Sequence, residues 1–153
     1  MSDGDPGAAA RAVIDSNSYM TLGTADESGL PWVTPVWFAH SGYREFLWVS
    51  SPEARHSRNL EARPEVSIVI FDSQVSPGDA EAVYVSAKAE KLSGDELESG
   101  IEVFSGKSES DRLPAYARAD VQELESLRLY RAVATEYFAL GEGSRRIAVD
   151  PSS

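Results

Sequence analysis

Apolar and polar residues alternate along much of this chain, and the places where the rhythm changes mark its elements. Residues 19–24 are short and β-prone, and Asp26-Glu27-Ser28-Gly29 reads as a hairpin turn. Residues 31–39 are rich in aromatic and β-branched side chains, with Trp32, Val33, Val36, Trp37 and Phe38. His40-Ser41-Gly42 reads as the next turn, with His40 exposed and idle, and residues 46–50 as a third strand. Strands joined by such short turns predict an antiparallel meander.

The period then lengthens. Ser51-Pro52-Glu53 has the form of a helix start, with Ser as cap and Pro at the first position, and the helix is expected to end near Arg63, before Pro64. Residues 65–72 form a nearly continuous apolar run, the mark of a buried strand. Residues 82–92 alternate, with Val83, Val85, Ala87 and Ala89 on one face and Tyr84, Ser86, Lys88 and Glu90 on the other. Ser93 and Glu96 match a capping box, and Leu97, Ile101 and Phe104 then fall on one helical face. Residues 113–126 look weakly helical. Residues 127–140 are long and β-like, with Leu129, Val133, Thr135 and Tyr137 expected on one side. Asp5-Pro6 reads as the start of a helix running to about Asn17.

This reading gives six strands with helices inserted at three places. Neighbouring strands are joined by short turns, not by crossover helices, so the expectation is a mainly β fold closed as an antiparallel barrel. A single domain over residues 1–153 is expected, with 1–10 and 141–153 as flexible tails.

Charge narrows the function. Fourteen Lys and Arg against 25 Asp and Glu leave a net charge of −11. That balance disfavours nucleic acid, which demands many phosphate-neutralising cations, and anionic membrane surfaces. The absence of cysteine excludes disulfides, thiolate metal sites and cysteine nucleophiles. The first ten residues lack a basic-then-apolar signal pattern, so a cytoplasmic protein is expected. The two histidines and scattered acids give no metal-ligand spacing, and Ser57 beside His56 is no catalytic triad.

One stretch concentrates positive charge. After the strand ending at Val49-Ser50, the segment Ser51-Pro52-Glu53-Ala54-Arg55-His56-Ser57-Arg58 puts hydroxyls, two arginines and a histidine at a helix N-terminus. Backbone N–H groups and the helix dipole favour an anion there, and Arg55 is suited to bidentate contact with a phosphate. By spacing alone an ordinary solvated helix accounts for the same residues. Trp32 and Trp37, five positions apart, lie on opposite faces of their strand, one for the core and one for a planar ligand or an interface.

Four blocks in order are similar to a known family: Gly29-x-Pro31-x-x-x-Pro35-Val36; Phe46-Leu47-Trp48-Val49-Ser50; Arg55-His56-Ser57-Arg58-Asn59-Leu60-x-x-x-Pro64-x-Val66-Ser67; and Val83-Tyr84-Val85-Ser86-Ala87-Lys88-Ala89-Glu90. Together they resemble the pyridoxamine 5′-phosphate oxidase-like flavoproteins, which are FMN-binding split barrels. The resemblance implies a six-stranded split β-barrel and a homodimer with FMN in a groove between subunits. It implies that Thr34, Pro35, Val36 and Trp37 run along the flavin. Val49, Ser50 and Ser51 would lie at the phosphate end, with Arg55, His56 and Ser57 as phosphate ligands. It further implies an oxidoreductase acting on a small substrate. A deazaflavin coenzyme in place of FMN, or a non-catalytic flavin or haem carrier or sensor, are the alternatives. Thr34 stands where the true oxidases usually carry a basic residue, His56 where they carry lysine, and Ala82 where a flavin-contacting glutamine is frequent. Only Arg145-Arg146 resembles their C-terminal basic block, which points away from pyridoxal phosphate synthesis.

Overall fold

The computed structural model describes residues 5–113, 118–121 and 125–152. Helix α1 (Pro6–Ser16) begins as its sequence requires: the Asp5 carboxylate accepts the Gly7 N–H at 3.0 Å, and Pro6 occupies the first position. The strands are β1 (Tyr19–Ala25), β2 (Pro31–Trp37), β3 (Ala39–Ser41), β4 (Glu45–Ser50), β5 (Glu65–Phe71), β6 (Ala82–Lys91), β7 (Arg128–Leu140) and β8 (Arg146–Ala148). Helices α2 (Arg55–Ala62) and α3 (Gly94–Ser110) follow β4 and β6. No helix among the described residues is long and apolar enough to cross a membrane.

All the pairings are antiparallel, in the order β2-β1-β5-β6-β7-β4-β3, with β8 added to β7. β2 and β3 are separated by Phe38 alone, yet β2 pairs with β1 and β3 pairs with β4. One nearly continuous segment, residues 31–41, thus joins the two ends of the sheet and closes it into a split barrel. β2 makes its ladder with β1, and its other side looks across a gap toward β4.

Two cores follow from strand alternation. Met20, Leu22, Val36, Trp48, Ile68, Ile70, Val83, Val85 and Tyr130 fill the barrel interior. Outside it, α3 lays Leu97 and Phe104 against Ala39, Leu47 and Leu129. Gly100 permits this approach, since a Cβ there would stand 2.7 Å from Leu92 Cδ1. Arg131 ties α3 to the barrel, contacting Glu96 of α3 and also Glu90 of β6 (2.7 Å) and Glu45 of β4 (3.6 Å).

Several expectations give way here. Ser93 does precede α3, but its side chain makes no cap bond, and Glu96 is held by Arg131 instead of closing a capping box. Along β7 the inward residues are Tyr130, Ala132 and Ala134, while Val133 and Thr135 face out. An irregularity opposite Ser86 and Ala87 inserts Thr135 as the extra residue and brings Tyr137 back inside. The described parts of the expected tails are built into the fold: Ala10 is buried in α1, the Arg11 guanidinium donates to the Pro151 carbonyl, and β8 pairs with β7. Among the described residues, β3 and β8 raise the strand number from six to eight. Of the weak helix expected over 113–126, the described residues hold a 3-10 turn at Arg118–Val121 and no helix at 113 or 125–126, and 114–117 and 122–124 lie outside them.

His40 belongs to β3 and is neither in a turn nor idle. Its Nδ1 accepts the Tyr43 N–H (3.2 Å), so its Nε2 carries the proton and donates to Asp15 (2.9 Å). Tyr43, at φ +58°, donates its hydroxyl to the same carboxylate at 2.6 Å. Burial pushes the Asp15 carboxyl up, but the bonds from Tyr43 and His40 outweigh it and hold the group below the usual carboxylate range. A depressed carboxyl contributes stability that is present above its unfolded pKa and lost as pH falls through the folded one. Asp15→Asn is therefore expected to lower the urea midpoint at pH 7 and to show a smaller deficit at about pH 3, as pH falls toward the lowered folded pKa. An equal deficit at both pH values would show that the charge of Asp15 contributes nothing.

Candidate functional site

The gap between β2 and β4 is a groove of about 780 Å³. Pro35, Val36 and Trp37 of β2 line one side, and Val49 and Ser50 of β4 the other. His56 of α2 and Tyr19 of β1 join them, and Phe104 and Ser108 of α3, with Leu113 and Asp120, form the far wall. Trp37 is held edge-on against Phe104, with ring centroids 5.2 Å apart, so α3 fixes the aromatic wall. A groove of this size, mostly apolar with a few convergent polar groups, has the character of a small-molecule site.

Its polar end is built by the β4–α2 junction. The Ser51 hydroxyl accepts the Glu53 N–H (3.1 Å), and the Ala54 N–H bonds to the Ser51 carbonyl, making a turn where the sequence suggested the helix already begins. α2 starts at Arg55, and the methyl side chain of its N-cap, Ala54, cannot accept a hydrogen bond, so the helix begins without a side-chain cap. At this end His56 Nε2 and Ser50 Oγ share a hydrogen bond of 2.8 Å. Burial alone holds the His56 imidazole below its usual range, so it is neutral at pH 7. Among the described residues lining the groove, His56 is the one able to carry positive charge.

The ten residues expected at the site are thus not all together. Pro35, Val36, Trp37, Val49, Ser50 and His56 line the groove; Thr34, Ser51, Arg55 and Ser57 do not. Thr34 lies just beyond the lined stretch of β2, and Ser51 is engaged in the turn. Arg55 extends over the Trp32 ring, 4.3 Å from its centroid, a cation–π contact that places the guanidinium outside the lining. Ser57 points inward, 1% exposed, because the residue after His56 turns about 100° around the helix and meets the barrel. It faces the phenol of Tyr130, whose pKa burial raises and Ser57 offsets only in part, and its hydroxyl has no hydrogen-bond partner among the described residues. Phe104, Ser108, Leu113 and Asp120 were missed, because sequence order gives no sign that α3 packs over the gap. Arg128 stands opposite Ser50 in the β4–β7 register but outside the lining; it is buried and donates to the Leu127 carbonyl at 2.8 Å.

Residues 7–139 match the family model described as pyridoxamine 5′-phosphate oxidase. The chain belongs to this family. Solved structures agree on the fold. A haem-binding protein from Mycobacterium smegmatis superposes with a TM-score of 0.75 at 21% identity, covering 97% of this chain and 59% of that one. This chain therefore spans less than two thirds of that relative. HutZ, the haem storage protein from Vibrio cholerae, gives 0.65 at 22% identity, covering 84% and 89%. An F420 reductase gives 0.61 at 16% identity, covering 84% and 94%. No curated protein matches the chain. The split barrel and the family expected from the four sequence blocks are both met.

The burial of Ser57 generates a test. Ser57→Ala removes a buried hydroxyl without a well-formed bond and is expected to change unfolding free energy by less than about 1 kcal/mol. Asn59→Ala, which strips the buried Thr24 hydroxyl of its donor (3.1 Å), is expected to cost about 1–2 kcal/mol. Urea denaturation compares them. A loss above about 2 kcal/mol for Ser57→Ala would mean that this hydroxyl has a strong buried partner.

Proposed function

We propose that this family member is an oxidoreductase that holds a planar, phosphate-bearing cofactor of the flavin class, FMN or a deazaflavin, in the β2–β4 groove and acts on a small substrate. The observation that carries the reading is the junction of an uncapped helix N-terminus with the Ser50–His56 pair at one end of a long, largely apolar groove. A phosphate fits that donor set, which offers backbone N–H groups, a hydroxyl and an imidazole. The ring system fits beside Pro35, Val36 and Trp37, under Phe104. Bound flavin supplies hydride acceptance; the protein's part is to bind it, orient it and keep water away. The relative named an F420 reductase supports keeping the deazaflavin beside FMN. An oligoglutamate tail on that coenzyme would meet an acidic chain, which favours FMN.

The groove is expected to be completed by a second copy of the chain. Tyr19 (61% exposed), Val33 (65%) and Phe71 (47%) project from one outer face, because β1, β2 and β5 are adjacent and in register. Such a patch, bordering Pro35 and Trp37, suits an interface and is costly to leave in water.

A non-catalytic haem carrier is the second reading. It is supported by the apolar far wall and by two structural relatives named for haem. Titration of the purified protein with FMN, a deazaflavin and haemin in parallel, followed by absorbance and by sedimentation, separates the readings. The flavin reading expects saturable binding of FMN to a dimer with quenched flavin fluorescence. Haemin binding with a sharp Soret band, together with indifference to both flavins, would replace it with the carrier reading.

A further inference from the structure

Among the described residues, the lining at the phosphate end of the groove holds no fixed cation. Arg55 is drawn off to Trp32, and Arg128 donates its guanidinium to backbone carbonyls at the end of its own strand. His56, where a permanent charge would be most useful, is half-buried and bonded to a neutral hydroxyl. Resting on the proposed cofactor reading, we infer that this site takes up a phosphate monoester dianion together with one solvent proton, which settles on His56.

The surroundings of His56 bear this out. On α2 and the turn before it stand Glu53, Arg55, Arg58 and Glu61. β1 presents Tyr19, and β2 has no titratable side chain. β6 turns Ala87 and Ala89 toward the interior, leaving Lys88 and Glu90 outside. β7 brings Arg128 and Tyr130, and the 3-10 turn brings Asp120 to the groove wall. None of these charges sets the state of the imidazole in the free protein; burial does, and it favours the neutral form. A dianion arriving at the same end reverses the balance, because an opposite charge within hydrogen-bond range raises an imidazole's pKa. Protonated, the ring has a donor on each nitrogen, so it can keep Ser50 and still offer a charged N–H.

The sign of the linkage follows. Between the lowered free-state pKa and the raised bound-state pKa, each FMN bound takes up one proton. There the affinity falls about tenfold per pH unit, and above the bound-state pKa the slope vanishes. The polar end is thereby selective for ligands dianionic enough to pull the proton in. A neutral or singly charged head group gains only the helix N–H groups and the hydroxyl.

Calorimetric titration of the full chain with FMN between about pH 7 and 8.5 tests this, since a phosphate monoester with second pKa about 6 stays dianionic there. Repeating each titration in buffers of different ionisation enthalpy counts the protons. The parent protein is expected to take up close to one proton near neutrality and to lose affinity as pH rises. His56→Gln, which keeps an uncharged donor, is expected to bind more weakly at pH 7 with no uptake and no slope. His56→Lys, charged beforehand, is expected to bind with no uptake and a flat profile. FMN binding by the parent with a flat profile and no uptake overturns the inference and leaves the cofactor reading standing. Proton uptake that persists in His56→Gln overturns it as well, by placing the proton elsewhere. Failure of both the parent and His56→Lys to bind FMN overturns FMN as the cofactor, and the inference with it.

Discussion

Everything at the candidate site depends on one strand changing partners. Residues 31–41 run almost without a break, but Pro31–Trp37 bonds to β1 and Ala39–Ser41 bonds to β4. The switch falls at Phe38, which is 1% exposed, packs near Phe46 and donates its N–H to the Ser18 carbonyl. A strand that serves both ends of the sheet closes it without pairing β2 to β4 along their lengths. The unpaired interval becomes the groove, and closure removes much of the open edge a sheet would otherwise present. α3 then covers the outer side of β3, β4 and β7, so Phe104 meets Trp37 across the opening.

The electrostatics of the site are local. The net charge of −11 bears on solubility and on which macromolecules the chain avoids. At the groove the deciding quantities are a helix N-terminus without a side-chain cap, a hydroxyl, and an imidazole that burial keeps neutral. Two arginines are engaged outside the groove lining. Arg55 lies on Trp32, and Arg131, the cation of the α3 anchor, is shared among three carboxylates.

Much of the fold was legible in the chain. The Asp5-Pro6 start, the alternation of β6 and the buried run of β5 each reflect a local rule that the tertiary structure leaves intact. The errors came where a distant partner intervenes. Glu96 has the spacing of a capping box, but Arg131 lies 35 residues away in sequence and claims it. Ala132 and Ala134 are small enough to look indifferent beside Val133 and Thr135, and the irregularity near Thr135 shifts the parity besides. His40 lacked any sequence neighbour to explain it, since Asp15 reaches it from α1. At the site, the β2, β4 and α2 contributions were readable because family spacing carries them. The α3 wall and the diversion of Arg55 and Ser57 arise from packing that no short motif records.

The central claim is that a cofactor phosphate engages His56 at the end of the β2–β4 groove. The chain has two histidines, and the other, His40, is bonded to Asp15 and lies outside the groove lining. Imidazole-nitrogen NMR through an FMN titration at pH 7 therefore has its control built in. The account predicts that the His56 nitrogens move to imidazolium values as FMN saturates while those of His40 hold still. FMN binding that leaves the His56 signals unmoved would contradict it.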